Sequence, residues 1–180
     1  MKYIITESQY KLLTEDKTLN LDFDVFNKDW DLLQRFLDKK GNPEYILIGN
    51  LDLGGRRDMT SLGNLTEVIG NVNLIATSIP SLGKLKYIEG SLNLYKTNIE
   101  DLGELTKVVG NIDMRVTKIK SLGNLKFVDG NLEDMYTPLE SLGDLRFVGG
   151  NLHIEGTPIS FEIEQSELLA SIDVLGNVYI

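Results

Sequence analysis

Five consecutive stretches of the chain, beginning at Ser61, Ser81, Asp101, Ser121 and Ser141, share one pattern at a fixed spacing of 20 residues. Counting the first residue of each stretch as position one, position two is Leu in every copy (Leu62, Leu82, Leu102, Leu122, Leu142) and position three is Gly (Gly63, Gly83, Gly103, Gly123, Gly143). Position ten is again Gly (Gly70, Gly90, Gly110, Gly130, Gly150), and position seventeen is Thr (Thr77, Thr97, Thr117, Thr137, Thr157). A unit this short cannot bury its apolar side alone, so the copies must stack and close one continuous core. The repeat therefore restricts the chain to a solenoid.

Within a copy, apolar or small residues at positions eight, ten, twelve and fourteen alternate with more variable ones, as in Val108-Val109-Gly110-Asn111-Ile112-Asp113-Met114. That alternation predicts a strand through this stretch. Because all copies run in one direction, the strands must pair in parallel, about 4.8 Å apart. Leu and Ile at positions two, five and nineteen complete the inward set. Gly at position three suits a turn of positive φ, and Gly at position ten suits a strand bend or a close approach of neighbouring coils. The repeated Thr is predicted to point inward and to satisfy loop backbone groups.

The strand signature also occurs before the clear copies, at Ile48-Gly49-Asn50-Leu51-Asp52-Leu53, and after them, at Val174-Leu175-Gly176-Asn177-Val178-Tyr179-Ile180. The expected fold class is thus mainly β, a parallel-stranded solenoid of about seven coils. Six residues beyond the period separate Gly150 from Gly176, and Glu162 to Ala170 has helical composition, which predicts a helical insert in the last coil. Residues 1–45 differ in kind and are read as a helical N-terminal cap; residues 46–180 form the repeat solenoid with its C-terminal insert and final strand. In the cap, Thr6 and Gln9 make a capping-box pattern before Tyr10, Leu12 and Leu13. A second helix is expected from Lys28 to Lys40, with Trp30, Leu33 and Leu37 on one side and Gly41 and Pro43 ending it.

The net charge of −9 disfavours a nucleic-acid partner, since neutralising phosphates needs an excess of Lys and Arg. The chain has no Cys, which removes thiolate nucleophiles, disulfides and Cys-based zinc sites and fits a reducing compartment. Met1 to Ile5 is too short an apolar run for a signal peptide, and no segment approaches the length of a membrane span. A cytoplasmic location without membrane contact is the expectation.

The run Leu92-Asn93-Leu94-Tyr95-Lys96-Thr97-Asn98-Ile99, continued to Leu102, resembles the leucine-rich repeat, with Thr where that family usually carries Asn. The likeness covers roughly Leu51 to Ile180 and is to a compact all-β variant, since the unit has no room for a regular convex helix. It implies a curved scaffold that binds proteins on its strand face, and it carries over no catalytic residue. The opening Met1-Lys2-Tyr3-Ile4-Ile5-Thr6-Glu7-Ser8-Gln9-Tyr10-Lys11-Leu12-Leu13 resembles the start of uncharacterised tailed-bacteriophage proteins, which implies a phage origin.

Function is sought where packing leaves side chains free. Position thirteen supplies one outward row (Asp52, Asn73, Asn93, Asp113, Glu133, His153) and position fifteen another (Gly54, Ile75, Tyr95, Arg115, Met135, Glu155). Tyr95, Arg115 and Met135, extended by Ile75, are side-chain types enriched at protein interfaces. Together with Asp113, Glu133, Tyr136 and His153 they form the expected protein-binding site. Asp113, Glu133 and His153 share a row that superficially suits a divalent cation, but adjacent coils diverge and acidic surfaces are common, so no metal site is assigned. The fourth copy places Asp134 at position fourteen, where the others have Leu74, Leu94, Met114 and Ile154. The expected relief is a bulge that turns Met135 inward and frees Asp134. Lys86-Tyr87, Lys126-Phe127 and Arg146-Phe147 pair bases with aromatics in the manner of single-strand binders, but Thr66-Glu67 and Thr106-Lys107 interrupt the stripe.

The expected function is a non-enzymatic protein-binding module needing no cofactor. Its partner, given a phage origin, is a host bacterial protein, such as one of antiviral defence. The alternative is a structural subunit of a virion or homo-oligomer, and a homodimer through the C-terminal strand edge is compatible with both.

Overall fold

The structure, a computed structural model, describes residues 18–163 and 171–180. The chain is a β-solenoid with two parallel sheets. The first runs through β1 (Leu19–Asp22), β2 (Tyr45–Ile48), β4 (Leu65–Ile69), β6 (Tyr87–Ile88), β8 (Lys107–Val108), β10 (Phe127–Val128), β12 (Phe147–Val148) and β14 (Asp173–Val174). The second runs through β3 (Leu51–Asp52), β5 (Val72–Asn73), β7 (Leu92–Asn93), β9 (Ile112–Asp113), β11 (Leu132–Glu133), β13 (Leu152–His153) and β15 (Val178–Tyr179). Five coils are regular, and flanking strands extend the sheets at both ends, where the repeat pattern predicts about seven coils.

The single strand predicted over positions eight to fourteen is in fact two, divided by a corner at the position-ten Gly. Adjacent coils touch there through their backbones. A Cβ on Gly90 would lie 2.6 Å from the Gly70 carbonyl oxygen, and one on Gly130 would lie 2.8 Å from that of Gly110. No side chain fits, so the close-approach reading holds. The next residue binds the coils together: the Asn131 N–H donates to Asn111 Oδ1 at 2.8 Å, Asn151 to Asn131 at 2.8 Å and Asn177 to Asn151 at 2.9 Å. The same ladder reaches back to Asn50 through Asn111, Ser91 and Asn71.

The inward positions behave as the pattern predicts. In the second regular coil Leu82, Leu85, Ile88, Leu92, Leu94 and Ile99 are all buried, and each stacks on its counterparts in one core running the length of the molecule. The position-three Gly residues have φ between +56° and +64°, and the residue two before each accepts its N–H, as Asp101 does from Gly103 at 2.8 Å. The repeated Thr is buried too. Thr97 Oγ1 donates to the Leu94 carbonyl at 2.8 Å and Thr157 Oγ1 to that of Ile154 at 2.7 Å.

Helix α1 (Trp30–Lys39) falls within the expected Lys28 to Lys40, with the Asp29 side chain accepting the Leu32 N–H at its start and Trp30, Leu33 and Leu37 buried against the first coils. The segment before it adds β1, which pairs with β2 over four residues and leads into a 3-10 turn at Phe23–Phe26. The capping box at Thr6 lies outside the described residues. At the other end α2 (Pro158–Ile163) begins earlier than the predicted insert, because Thr157 accepts the Ser160 N–H at 3.3 Å and Pro158 suits a first helical turn. Residues 164–170 of that insert lie outside the described residues. No helix among the described residues is long and apolar enough to cross a membrane.

Candidate protein-binding face

The second sheet builds this face. Its register pairs Asn73 with Asn93, Asn93 with Asp113, Asp113 with Glu133, Glu133 with His153 and His153 with Tyr179, so position thirteen is a true spatial row. Each strand is only two residues long, and in β3, β5, β7 and β9 it runs into a turn held by the strand's own last side chain. Asn73 Oδ1 accepts the Ile75 N–H at 3.2 Å, Asn93 Oδ1 that of Tyr95 at 3.0 Å, and Asp113 Oδ1 that of Arg115 at 3.1 Å. The polar row thereby sets the backbone that carries Ile75, Tyr95 and Arg115.

Arg115 is the centre of the arrangement. Its Nε and a terminal nitrogen donate to the two oxygens of Asp113 at 2.9 and 2.6 Å, and Glu133 lies 3.3 Å from Nε. Its guanidinium carbon sits 5.5 Å from the centre of the Tyr95 ring, and Lys96 Nζ lies 4.8 Å from the same ring. The fork of hydrogen bonds to Asp113 raises the already high pKa of the guanidinium further. Tyr95, Arg115, Asp113 and Glu133 are therefore one half-buried cluster whose side chains hold one another in place. Met135 and Ile75 are half-buried at the same position of neighbouring coils.

The remaining candidates stand apart from that cluster. Tyr136 is 79% exposed, with its ring lying against Gly156 of the next coil. It occupies position sixteen, which is left-handed throughout: φ is 55° at Ala76, 58° at Lys96, 60° at Val116, 58° at Tyr136 and 69° at Gly156. Holding a β-branched Val there is strained. The exposed Val116 and Tyr136 flank Arg115 and Met135 in sequence, and the repeat does not single out Val116, since nothing in residue type announces a left-handed turn at this position. His153 stacks on Tyr179, ring centres 4.1 Å apart and nearly parallel, with Glu155 3.6 Å from Nδ1. Asp113 and Glu133 are turned to Arg115, and among the described residues no group of His, Cys, Asp and Glu has the arrangement of a metal site.

The bulge predicted at Asp134 does not form. Leu132 and Glu133 pair in register with both neighbouring strands, the Asp134 N–H donates to the His153 carbonyl at 2.8 Å, and Met135 stays on the outward side. Asp134 is completely buried between Met114 and Ile154 of the adjacent coils, and neither carboxyl oxygen has a hydrogen-bond partner. The Thr137 hydroxyl nearby donates to the Asp134 backbone carbonyl instead, at 3.3 Å. A bulge would break backbone bonds to both neighbours, whereas protonation removes the charge without moving the chain. Burial pushes the carboxyl pKa up to about 8.

The basic and aromatic residues belong to the first sheet, where Tyr87, Lys107, Phe127 and Phe147 stand in register. Lys86 pairs with Glu104 at 3.4 Å and Lys107 with Asp129 at 2.9 Å, so this row is not a continuous cationic track. No protein-family model matches the chain, and no curated protein or solved structure matches it.

Proposed function

We propose that the protein is a non-enzymatic binding module that grips a partner protein on the outward face of its second sheet. The observation that supports this reading most is the Arg115 cluster. An Arg and a Tyr fixed against each other on short, cross-braced turns lose little freedom on binding, and both types dominate interface hot spots. Asp113 and Glu133 would set charge preference. The repeat's likeness to leucine-rich repeats favours the same face, and the lack of Cys and the single His, already engaged with Tyr179, give little material for catalysis.

If the opening residues reflect a phage origin, the module acts in the host cytoplasm as an inhibitor of a host bacterial protein. A structural role as a virion or homo-oligomer subunit is the second reading. It is favoured by β14 and β15, which have no further strand beside them among the described residues, and by Leu175, which is 72% exposed next to them. Capture from a bacterial host lysate with the wild type, Arg115→Glu and Lys126→Glu tests the proposal. A host protein should be recovered by the wild type and by Lys126→Glu, with Arg115→Glu weakening its binding by more than about 1 kcal/mol. Recovery of the chain itself would favour the structural reading, and loss in Lys126→Glu alone would move the site to the first sheet.

A further inference from the structure

A cavity of about 360 Å³ opens beside this face, lined by Arg57, Ala76, Thr77, Ser78, Lys96 and Asn98. In a chain of net charge −9 its lining is unusual, because it holds two cations and no carboxylate. The neighbouring Arg56 is engaged by Asp31 and Asp58. Arg57 has no ion pair among the described residues, and Lys96 contacts only the Tyr95 ring face.

A second observation concerns the backbone. At the same position of the next coil the Lys118 N–H donates to the Ile99 carbonyl at 3.0 Å, a bond that ties successive coils together. The Ser78 and Asn98 N–H groups reach no acceptor among the described residues, and neither do the Ser78 hydroxyl and the Asn98 side-chain amide. The lining thus offers two exposed positive charges and several donors without a protein acceptor among the described residues. That set matches a tetrahedral oxyanion better than a planar carboxylate, since its oxygens point in more directions than one Arg fork can serve. The volume falls at the small end of the range for organic ligands and exceeds the needs of a bare phosphate.

We propose that this cavity binds a small phosphate monoester, with Arg57, Lys96 and the Ser78 and Asn98 N–H groups on the phosphoryl oxygens and the organic body in the remaining space. The site adjoins the protein-binding face through Lys96, which lies against Tyr95, but it does not depend on that reading. Titrating the full chain with inorganic phosphate and with glycerol phosphate, while following its backbone amide NMR signals, tests it. Saturable shifts centred on Ser78 and Asn98 are expected, with glycerol phosphate binding more tightly than phosphate and acetate at equal ionic strength producing no saturation. Arg57→Ala and Lys96→Ala should each weaken binding about tenfold, the loss of one charge-assisted contact. Shifts that never saturate, that acetate reproduces, or that survive in the double variant would overturn the proposal.

Discussion

Replacing Asp134 by Leu should stabilise the protein at pH 7 by about 4 kcal/mol, the cost of keeping a carboxyl protonated when its pKa rises from 3.8 to about 8 on folding. The effect has a definite pH signature. Below about pH 4 both the folded and unfolded chains hold the proton, and this cost is absent. Between there and about pH 8 the unfolded chain has released the proton and the folded chain has not, so wild-type stability falls by about 1.4 kcal/mol per unit. Above about pH 8 both states are ionised and the cost is constant. Denaturation of wild type and Asp134→Leu across this range should therefore give curves that diverge as pH rises. Leu also restores the residue type that the other copies carry at this place, so some gain remains in acid. A difference that is the same at both ends of the range would mean that Asp134 reaches solvent.

Leu105→Ala should lower stability by about 2 to 5 kcal/mol, the usual range for truncating a fully buried Leu without collapse of the cavity. Leu105 is completely buried in the middle regular coil and faces the same position of the coils on either side. Backbone hydrogen bonds tie the flanking residues of these coils together, Thr106 to Lys86 and Lys126 to Thr106, which resists inward collapse into the gap. Chemical denaturation should show one transition, moved to lower denaturant with its slope preserved, because a coil has no core of its own to unfold separately. An unshifted midpoint would contradict the inward register, and two separate transitions would contradict the single core.

The period carries most of this architecture in plain view. Invariant Leu, Gly and Thr at fixed offsets define the coil, its direction and its inward side, and the outward rows are their complement. Alternation alone does not show the corner at Gly90 and its equivalents, because a residue of small size fits a continuing strand as well as a bend. The Asn ladder beside it is equally hidden: Asn after Gly looks like turn chemistry, and only the stacking shows that each side chain serves the next coil. At Asp134 the pattern correctly marks an anomaly but predicts the wrong relief, since residue type weighs a charged carboxylate and says nothing of protonation. The Arg115 cluster is legible as a set of neighbours. Its hydrogen bonds to Asp113, the stacking of His153 on Tyr179 and the left-handed turn under Val116 depend on geometry that residue types alone do not contain.

We propose that a partner protein sits on the outward face of the second sheet around Arg115. A photo-reactive residue introduced at Met135, at Ile75 or, on the first sheet, at Phe127 addresses it directly when the variants are irradiated in lysate and the covalent products identified. One shared product is expected from Met135 and Ile75, absent from Phe127 and clearly reduced when Arg115→Glu is added. A product from Phe127 alone, or a Met135 product undiminished by Arg115→Glu, would contradict this placement.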